Sequence, residues 1–231
     1  MSNLETNPNY AEMLSDLVTT RRSIRSYLPE PISAELLEKV FQEANHTPSN
    51  CNSQPWQTFV VSGESRDRMS EALKSTIGQG EYVLDFPYDT KQYKGVYRER
   101  QVDVGKLLYQ ALGVDRDDKE GKTAAFISNL EFFNAPHAAF LFMPDWCGIR
   151  EAADIGMYAQ TLLLTMQANG ISSCPQTILS YHADVVREQL DIDPSLKLLF
   201  GISFGFADNS KPENQICPRR ASLNESTKFF G

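Results

Sequence analysis

Three arginines fall within five residues, Arg21-Arg22-Ser23-Ile24-Arg25, in a chain whose formal net charge is −8. In an extended backbone side chains alternate, so Arg21, Ser23 and Arg25 point the same way. Such a fork of guanidinium groups suits a phosphate, which accepts paired, charge-assisted hydrogen bonds. A solvated charged edge is the other reading of the same residues. A second basic pair, Arg219-Arg220, stands near the C-terminus. Between Thr47 and Trp56 the sequence T-P-S-N-C-N-S-Q-P-W crowds short amides and hydroxyls between two prolines. That composition makes either a plain turn or a set of hydrogen-bonding groups presented to a heteroaromatic ring or a polyol.

Other chemistries find little support. Gly201-Ile-Ser203-Phe-Gly205 matches the G-x-S-x-G pattern of a hydrolase nucleophile elbow. An elbow requires a strand, a sharp turn and a helix. Here Ser203 lies inside an apolar run, and Asp208-Asn209-Ser210-Lys211-Pro212 follows where the helix should begin, so a core-strand serine is expected. His46, His137 and His182 are the only histidines and show no ligand spacing, so packing or surface roles are expected and no metal. There is no Walker A motif and no G-x-G-x-x-G.

The elements that must position these residues are legible from periodicity. Tyr10, Met13, Leu14, Leu17 and Val18 mark an amphipathic helix ending near Thr20, and residues 21–28 run extended into Pro29 and Pro31. Ser33 caps a second helix with Leu36, Leu37, Val40, Phe41 and Ala44 on its apolar face. A strand at 58–61 follows the polar loop, then a short charged helix over 65–75. Residues 78–100 read as irregular and tyrosine-rich. Helices are expected at 101–112, 118–132 and 150–169, the last apolar nearly all round and therefore buried on most sides, in the core or in a subunit interface. Strands are expected at 138–143, 171–174 and 196–204, with Ser180 capping a helix that runs to Leu190. Helices outnumber strands without regular alternation, which suggests an α+β fold with one sheet and helices around it.

Composition bounds the class. Of 231 residues, 41% are hydrophobic and 23% charged, as in a folded soluble chain rather than a disordered one. The acidic balance disfavours nucleic acid and anionic membrane as partners. The four scattered cysteines lack zinc or redox spacing, Met1 to Pro8 is polar, and the most apolar stretch, 152–168, is interrupted by Asp154, Gln160 and Gln167. A cytoplasmic protein with free thiols is the expectation.

The two polar segments taken together resemble a known family. R-R-S-I-R-S-Y (21–27) followed by P-S-N-C-N-S-Q-P-W (48–56) is similar to the N-terminal signature of the FMN-dependent nitroreductases. The resemblance continues through Asn134-Ala-Pro136, the helix beginning Glu151-Ala-Ala-Asp154-Ile-Gly156, the segment Asn169 to Gln176, the strand 198–205 and the final basic pair. It implies a single 1–231 domain with a central mixed sheet, forming an intertwined homodimer. Residues 1–9 and the tail 209–231 would extend toward the partner subunit. The resemblance further implies tightly bound FMN, with Arg21, Arg22, Ser23, Arg25, Arg219 and Arg220 at its phosphate and ribityl chain. Pro48, Ser49, Asn50, Asn52 and Gln54 would reach the flavin of the other subunit. The turn Pro175-Gln176-Thr177 would bring a backbone amide to the ring. Many relatives have glycine where Thr177 stands, and a β-branched residue does not readily take positive φ.

NAD(P)H would serve as co-substrate, with nitroaromatics or quinones as acceptors in ping-pong order, and no side chain need act as acid, base or nucleophile. Tyr82, Phe86, Tyr88, Tyr93 and Tyr97 are candidates to stack on the acceptor, or simply to anchor their segment. The same fold would also suit a dehalogenase, an enoate reductase or a flavin reservoir without turnover.

Overall fold

A computed structural model describes residues 8–78 and 80–231; the expectation for residues 1–7 lies outside the described residues. Its centre is the strand β2, His137–Pro144, between β1, Gln57–Ser62, and β4, Leu196–Gly205; β3, Ser172–Gln176, closes the sheet in the order β1-β2-β4-β3. All three pairings are antiparallel. The sheet is mixed only through an isolated parallel bridge from Ser23 to Ser173, on the outer edge of β3.

β2 is central because it is apolar on both faces. Ala138, Phe140 and Phe142 enter one core and Ala139, Leu141 and Met143 the other, as the two-residue period of a strand requires. The first core is covered by helices α3, Gly63–Ser75, α5, Lys119–Leu130, and α7, Ala183–Leu190. The second is covered by α2, Ala34–Ala44, and α6, Ile149–Ala168. Ser33 caps α2 as expected, its Oγ accepting the Leu36 amide at 3.3 Å.

Three expectations change. The helix expected at 101–112 is α4, Val96–Ala111; it starts at Gly95, whose φ of 52° an L side chain would strain, so Tyr97 and Arg100 are helical. Ser180 does not cap α7: it belongs to the 3-10 turn Thr177–Ser180 and donates to the Thr177 carbonyl. β3 is displaced toward Gln176, and its proline is tolerated on an edge strand. Within one chain α6 is not buried on most sides. It buries Asp154, Ile155, Tyr158, Leu162 and Met166 but leaves Met157 exposed. The apolar stripe of α1, Pro8–Thr20, is likewise open, with Tyr10, Met13, Leu14 and Val18 all more than half exposed.

Candidate functional site

The arginine segment is laid down as an extra edge on the sheet. The Ile24 amide donates to the Ser173 carbonyl at 3.2 Å, and the Leu28 amide to Phe206 at 2.8 Å. Ile24 and Tyr27 turn into the core, and the Tyr27 hydroxyl donates to the Ile24 and Ser203 carbonyls. Arg21, Arg22, Ser23 and Arg25 stay half-buried. A residue that the sequence did not single out ties this segment to the C-terminal tail. Buried Asn214 accepts the Arg25 amide at 2.7 Å and donates to the carbonyls of Ser26 and Asp208 at 2.7 and 2.9 Å.

That tie brings the two ends of the chain together. A cavity of about 500 Å³ is lined by Arg22, Ser23, Arg25, Ile216, Pro218, Arg219 and Arg220, with Arg100 and Val104 from α4. Arg21 sits against the same cluster: burial chiefly, and the charge of Arg220 next, lower its pKa. Its Nη1 is buried with no hydrogen-bond partner. Among the described residues no ion pair engages Arg21, Arg22, Arg25, Arg219 or Arg220. Arg100 pairs with Glu225 at 2.9 Å; Glu225 in turn caps the short helix α8, Leu223–Ser226, through Ser222. Cys174 supplies no anion, because burial above all pushes its thiol up. The arrangement is an under-neutralised cationic pocket, the environment an oxyanion of high charge requires.

The other expected site residues lie elsewhere. Pro48, Ser49, Asn50, Asn52 and Gln54 line none of this cavity; they form a loop over the start of α6, with Pro48, Asn50, Asn52 and Gln54 exposed. The turn at the end of β3 exposes Pro175 and Thr177 but buries Gln176. The Gln176 side chain is consumed internally: Oε1 accepts from Ser203 Oγ, and Nε2 donates to the Asn129 carbonyl at 3.1 Å. Gln176 therefore offers only its backbone outward. Thr177 opens a 3-10 turn and is not among the positive-φ residues, so its β-branch meets no strain there.

The tyrosine-rich stretch divides. Tyr82 and Tyr88 rest on Tyr181, with ring centroids 4.5 and 6.1 Å away, and Phe86 packs on the core. Asp85 pairs with Arg187 at 2.5 Å and accepts the Leu198 amide. Tyr82 and Tyr88 anchor the segment to Tyr181, and Asp85 anchors it to α7. Tyr97 stands apart, beneath the Arg100 guanidinium at 5.9 Å. A smaller pocket of about 160 Å³ opens between Thr76, Phe126, Ile178, Tyr82, Tyr181 and His182. Burial, with Tyr88 and Tyr82 adding to it, pushes Tyr181 up to about 12, so its hydroxyl keeps its proton.

Ser203 and His137 have structural roles. Ser203 is fully buried in β4 and bonded to Gln176. His137 accepts the Ile32 amide on Nε2 at 2.9 Å, which puts the neutral ring's proton on Nδ1, facing Ser62 Oγ at 2.5 Å. A hydroxyl that receives this proton is not being activated by the ring.

The profile of the Nitroreductase family matches residues 18–206. This chain belongs to that family. It is 44% identical to the nitroreductase NfnB of Mycolicibacterium smegmatis over 219 residues, covering 95% of this chain and 93% of the relative. It is 30% identical to a 4-nitrobenzoate reductase of Pseudomonas putida, covering 93% and 94%. The crystal structure of the FMN-dependent NfnB of Mycobacterium smegmatis in complex with NADPH superposes with a TM-score of 0.93 at 43% identity, covering 96% of this chain and all of that one. The nitroreductase fold is thus established for this chain, and the α+β expectation with it.

Arg100, Asn214 and Asn129 join the site only in three dimensions. Arg100 falls in a run of mixed charges on α4, Asn214 in a polar tail, and Asn129 at a helix end; none carries a local signature.

Proposed function

We propose that this chain is an FMN-dependent NAD(P)H oxidoreductase that reduces nitroaromatic compounds or quinones, working as a single 1–231 domain. The observation that carries this reading is the cluster of Arg22, Arg25, Arg219 and Arg220 around one cavity, with Arg21 close enough to feel the charge of Arg220 and its buried Nη1 without an acceptor. A phosphate monoester near −2 fits such a site, because guanidinium groups bind it in pairs and need no proton rearrangement.

FMN, when bound, supplies the capacity to take up and pass on a hydride. The chain's own residues bind and orient it. Arg21, Arg22, Ser23, Arg25, Arg219 and Arg220 would hold the phosphate and ribityl chain. Backbone groups of Pro175, Gln176 and Thr177 would meet the ring, while the Gln176 side chain locks that turn to Ser203 and Asn129. The 160 Å³ pocket lined by Phe126, Ile178, Tyr82, Tyr181 and His182 is about the size that accepts one aromatic ring, which suits a small, flat acceptor.

The working unit is a homodimer. The exposed stripe Tyr10, Met13, Leu14 and Val18 on α1 and exposed Met157 on α6 form an apolar surface that water disfavours. The loop from Pro48 to Gln54 lies away from its own chain's arginine cavity and serves the cavity of the second subunit. Phe229 and Phe230, 83% and 93% exposed in one chain, find their cover there too. No helix among the described residues is long and apolar enough to cross a membrane, and the free thiols of Cys51, Cys147, Cys174 and Cys217 favour a reducing, cytoplasmic setting.

The test is direct. Purified protein should be yellow and should oxidise NADPH or NADH when 4-nitrobenzoate is supplied. Varying both substrates should give parallel double-reciprocal lines, since NAD(P)H and the acceptor would use the cofactor in turn. Colourless protein that takes up no added FMN overturns the reading. Bound FMN without turnover of any nitroaromatic or quinone favours the reservoir instead.

A further inference from the structure

We propose that Asp154, with Tyr158 one turn later on α6, is a positioning residue that sets the shape of the 49–54 loop and so aims Asn52 and Gln54. The proposal rests on the reading that this loop belongs to a cofactor site. Asp154 is only 4% exposed, and its Oδ2 accepts the Asn50 amide at 3.0 Å across 104 residues of sequence. Residues four apart share one face of a helix. On that face the Tyr158 ring stacks under Trp56, centroids 4.8 Å apart and planes 11° from parallel, and its hydroxyl accepts from Thr58 Oγ1 at 3.3 Å. One helix face thus grips the chain before the loop bends and again after it.

Between the two grips the backbone is unusual. Cys51, Asn52 and Gln54 have φ of 52°, 55° and 46°, left-handed values that L residues keep only where the surroundings over-determine them. Inside the loop the bonds close on themselves. Ser49 Oγ accepts the Gln54 amide at 2.9 Å, Gln54 Nε2 donates to the Asn52 carbonyl at 3.2 Å, and the Asn52 and Ser53 amides turn back to Ser49 and Asn50. Among the described residues, the Asn50–Asp154 bond is the hydrogen bond that ties this ring to the rest of the chain. A buried carboxylate is a costly way to fill space, since an apolar side chain would pack without desolvating a charge. Its use on a single loop amide assigns it to holding that loop in a strained, outward-facing shape.

The experiment compares Asp154→Ala, Asp154→Asn and a core control on the same helix, Leu162→Ala, as holoenzymes. Hydrogen exchange of the 48–55 peptide and fluorescence titration of FMN are read alongside Tm, kcat and acceptor KM. Asp154→Ala should speed loop exchange and weaken FMN binding, each by roughly tenfold or more. Asp154→Asn keeps an acceptor oxygen in place and should restore both. Leu162→Ala should lower Tm without loosening the loop. The proposal is overturned if Asp154→Ala leaves loop exchange unchanged, if Leu162→Ala reproduces its effects, or if Asp154→Asn behaves like the alanine. Asn52→Ala separates the underlying reading. If it leaves FMN affinity and acceptor KM untouched while Asp154→Ala still frees the loop, the loop is not part of the site and only the positioning role stands.

Discussion

Replacing Arg21 by methionine should move the stability of the free chain and its affinity for FMN in opposite directions. The methionine keeps the apolar part of the stem and removes the guanidinium. In the free chain Arg21 Nη1 is buried without a partner and faces the charge of Arg220, so the group is a net liability. Removing it should stabilise the FMN-free protein by about 1 kcal/mol, the low end of the cost of an unsatisfied buried donor, since the residue is only half-buried. For a chain of this size that is roughly 2–4 °C in Tm.

With FMN bound the same group becomes a charged hydrogen-bond donor worth about 1.5–3 kcal/mol, so its loss should weaken FMN roughly 10- to 100-fold. The two effects are separable by linkage. At an FMN concentration 100 times the wild-type Kd, ligand stabilises the wild type by about 2.7 kcal/mol. A variant binding 100-fold more weakly gains only about 0.4 kcal/mol under the same conditions. Thermal unfolding with and without FMN, beside a fluorescence titration, reads both terms. A variant whose FMN-free Tm falls, or whose Kd for FMN stays within about a factor of two of wild type, refutes the argument that this arginine is held unpaired for a phosphate.

Three further outcomes follow from other parts of the structure. Asn214→Leu keeps the branched side-chain skeleton but removes the bonds joining residues 25 and 26 to the tail, and should cost about 1–3 kcal/mol while raising the FMN Kd; unchanged FMN release would separate the tail from the site. Burial holds the His137 pKa below its ordinary value, so the unfolded chain binds this proton more readily. Stability from His137 should therefore be intact above about pH 6.5 and decline as pH falls below it; a His137→Gln variant with the same acid limb in urea titrations would exclude this group. Leu14→Asp places a charge in the exposed stripe of α1 and should yield monomers in sedimentation, with FMN lost alongside; a dimer that survives it with full flavin would put the interface elsewhere.

The amino-acid sequence alone determined those features in which neighbours along the chain do the physical work. Apolar residues at helical spacing placed α2 and α6, and an unbroken apolar run marked β2, because burial of such patterns has few solutions. Ser33 was legible as a cap because capping is a bond between residues three apart. The Arg21–Arg25 cluster was legible because charge density on an acidic chain stands out, and pairing it with the 48–56 motif pointed to the family.

The tertiary structure decided whatever depends on residues distant in sequence. That Arg219 and Arg220 share a cavity with Arg22 and Arg25 follows from Asn214 fastening the tail to Arg25 across 189 residues. That Arg100 joins them depends on where α4 lies. Gln176, a candidate ligand by sequence, turns inward because Ser203 and Asn129 satisfy its amide, and Tyr82 and Tyr88 serve as anchors because Tyr181 lies beneath them. A polar side chain reads the same in sequence whether its partner is a cofactor or its own core. Only the packed chain shows which polar groups are already satisfied, as in Gln176, and which, like the Nη1 of Arg21, are left for something else to bind.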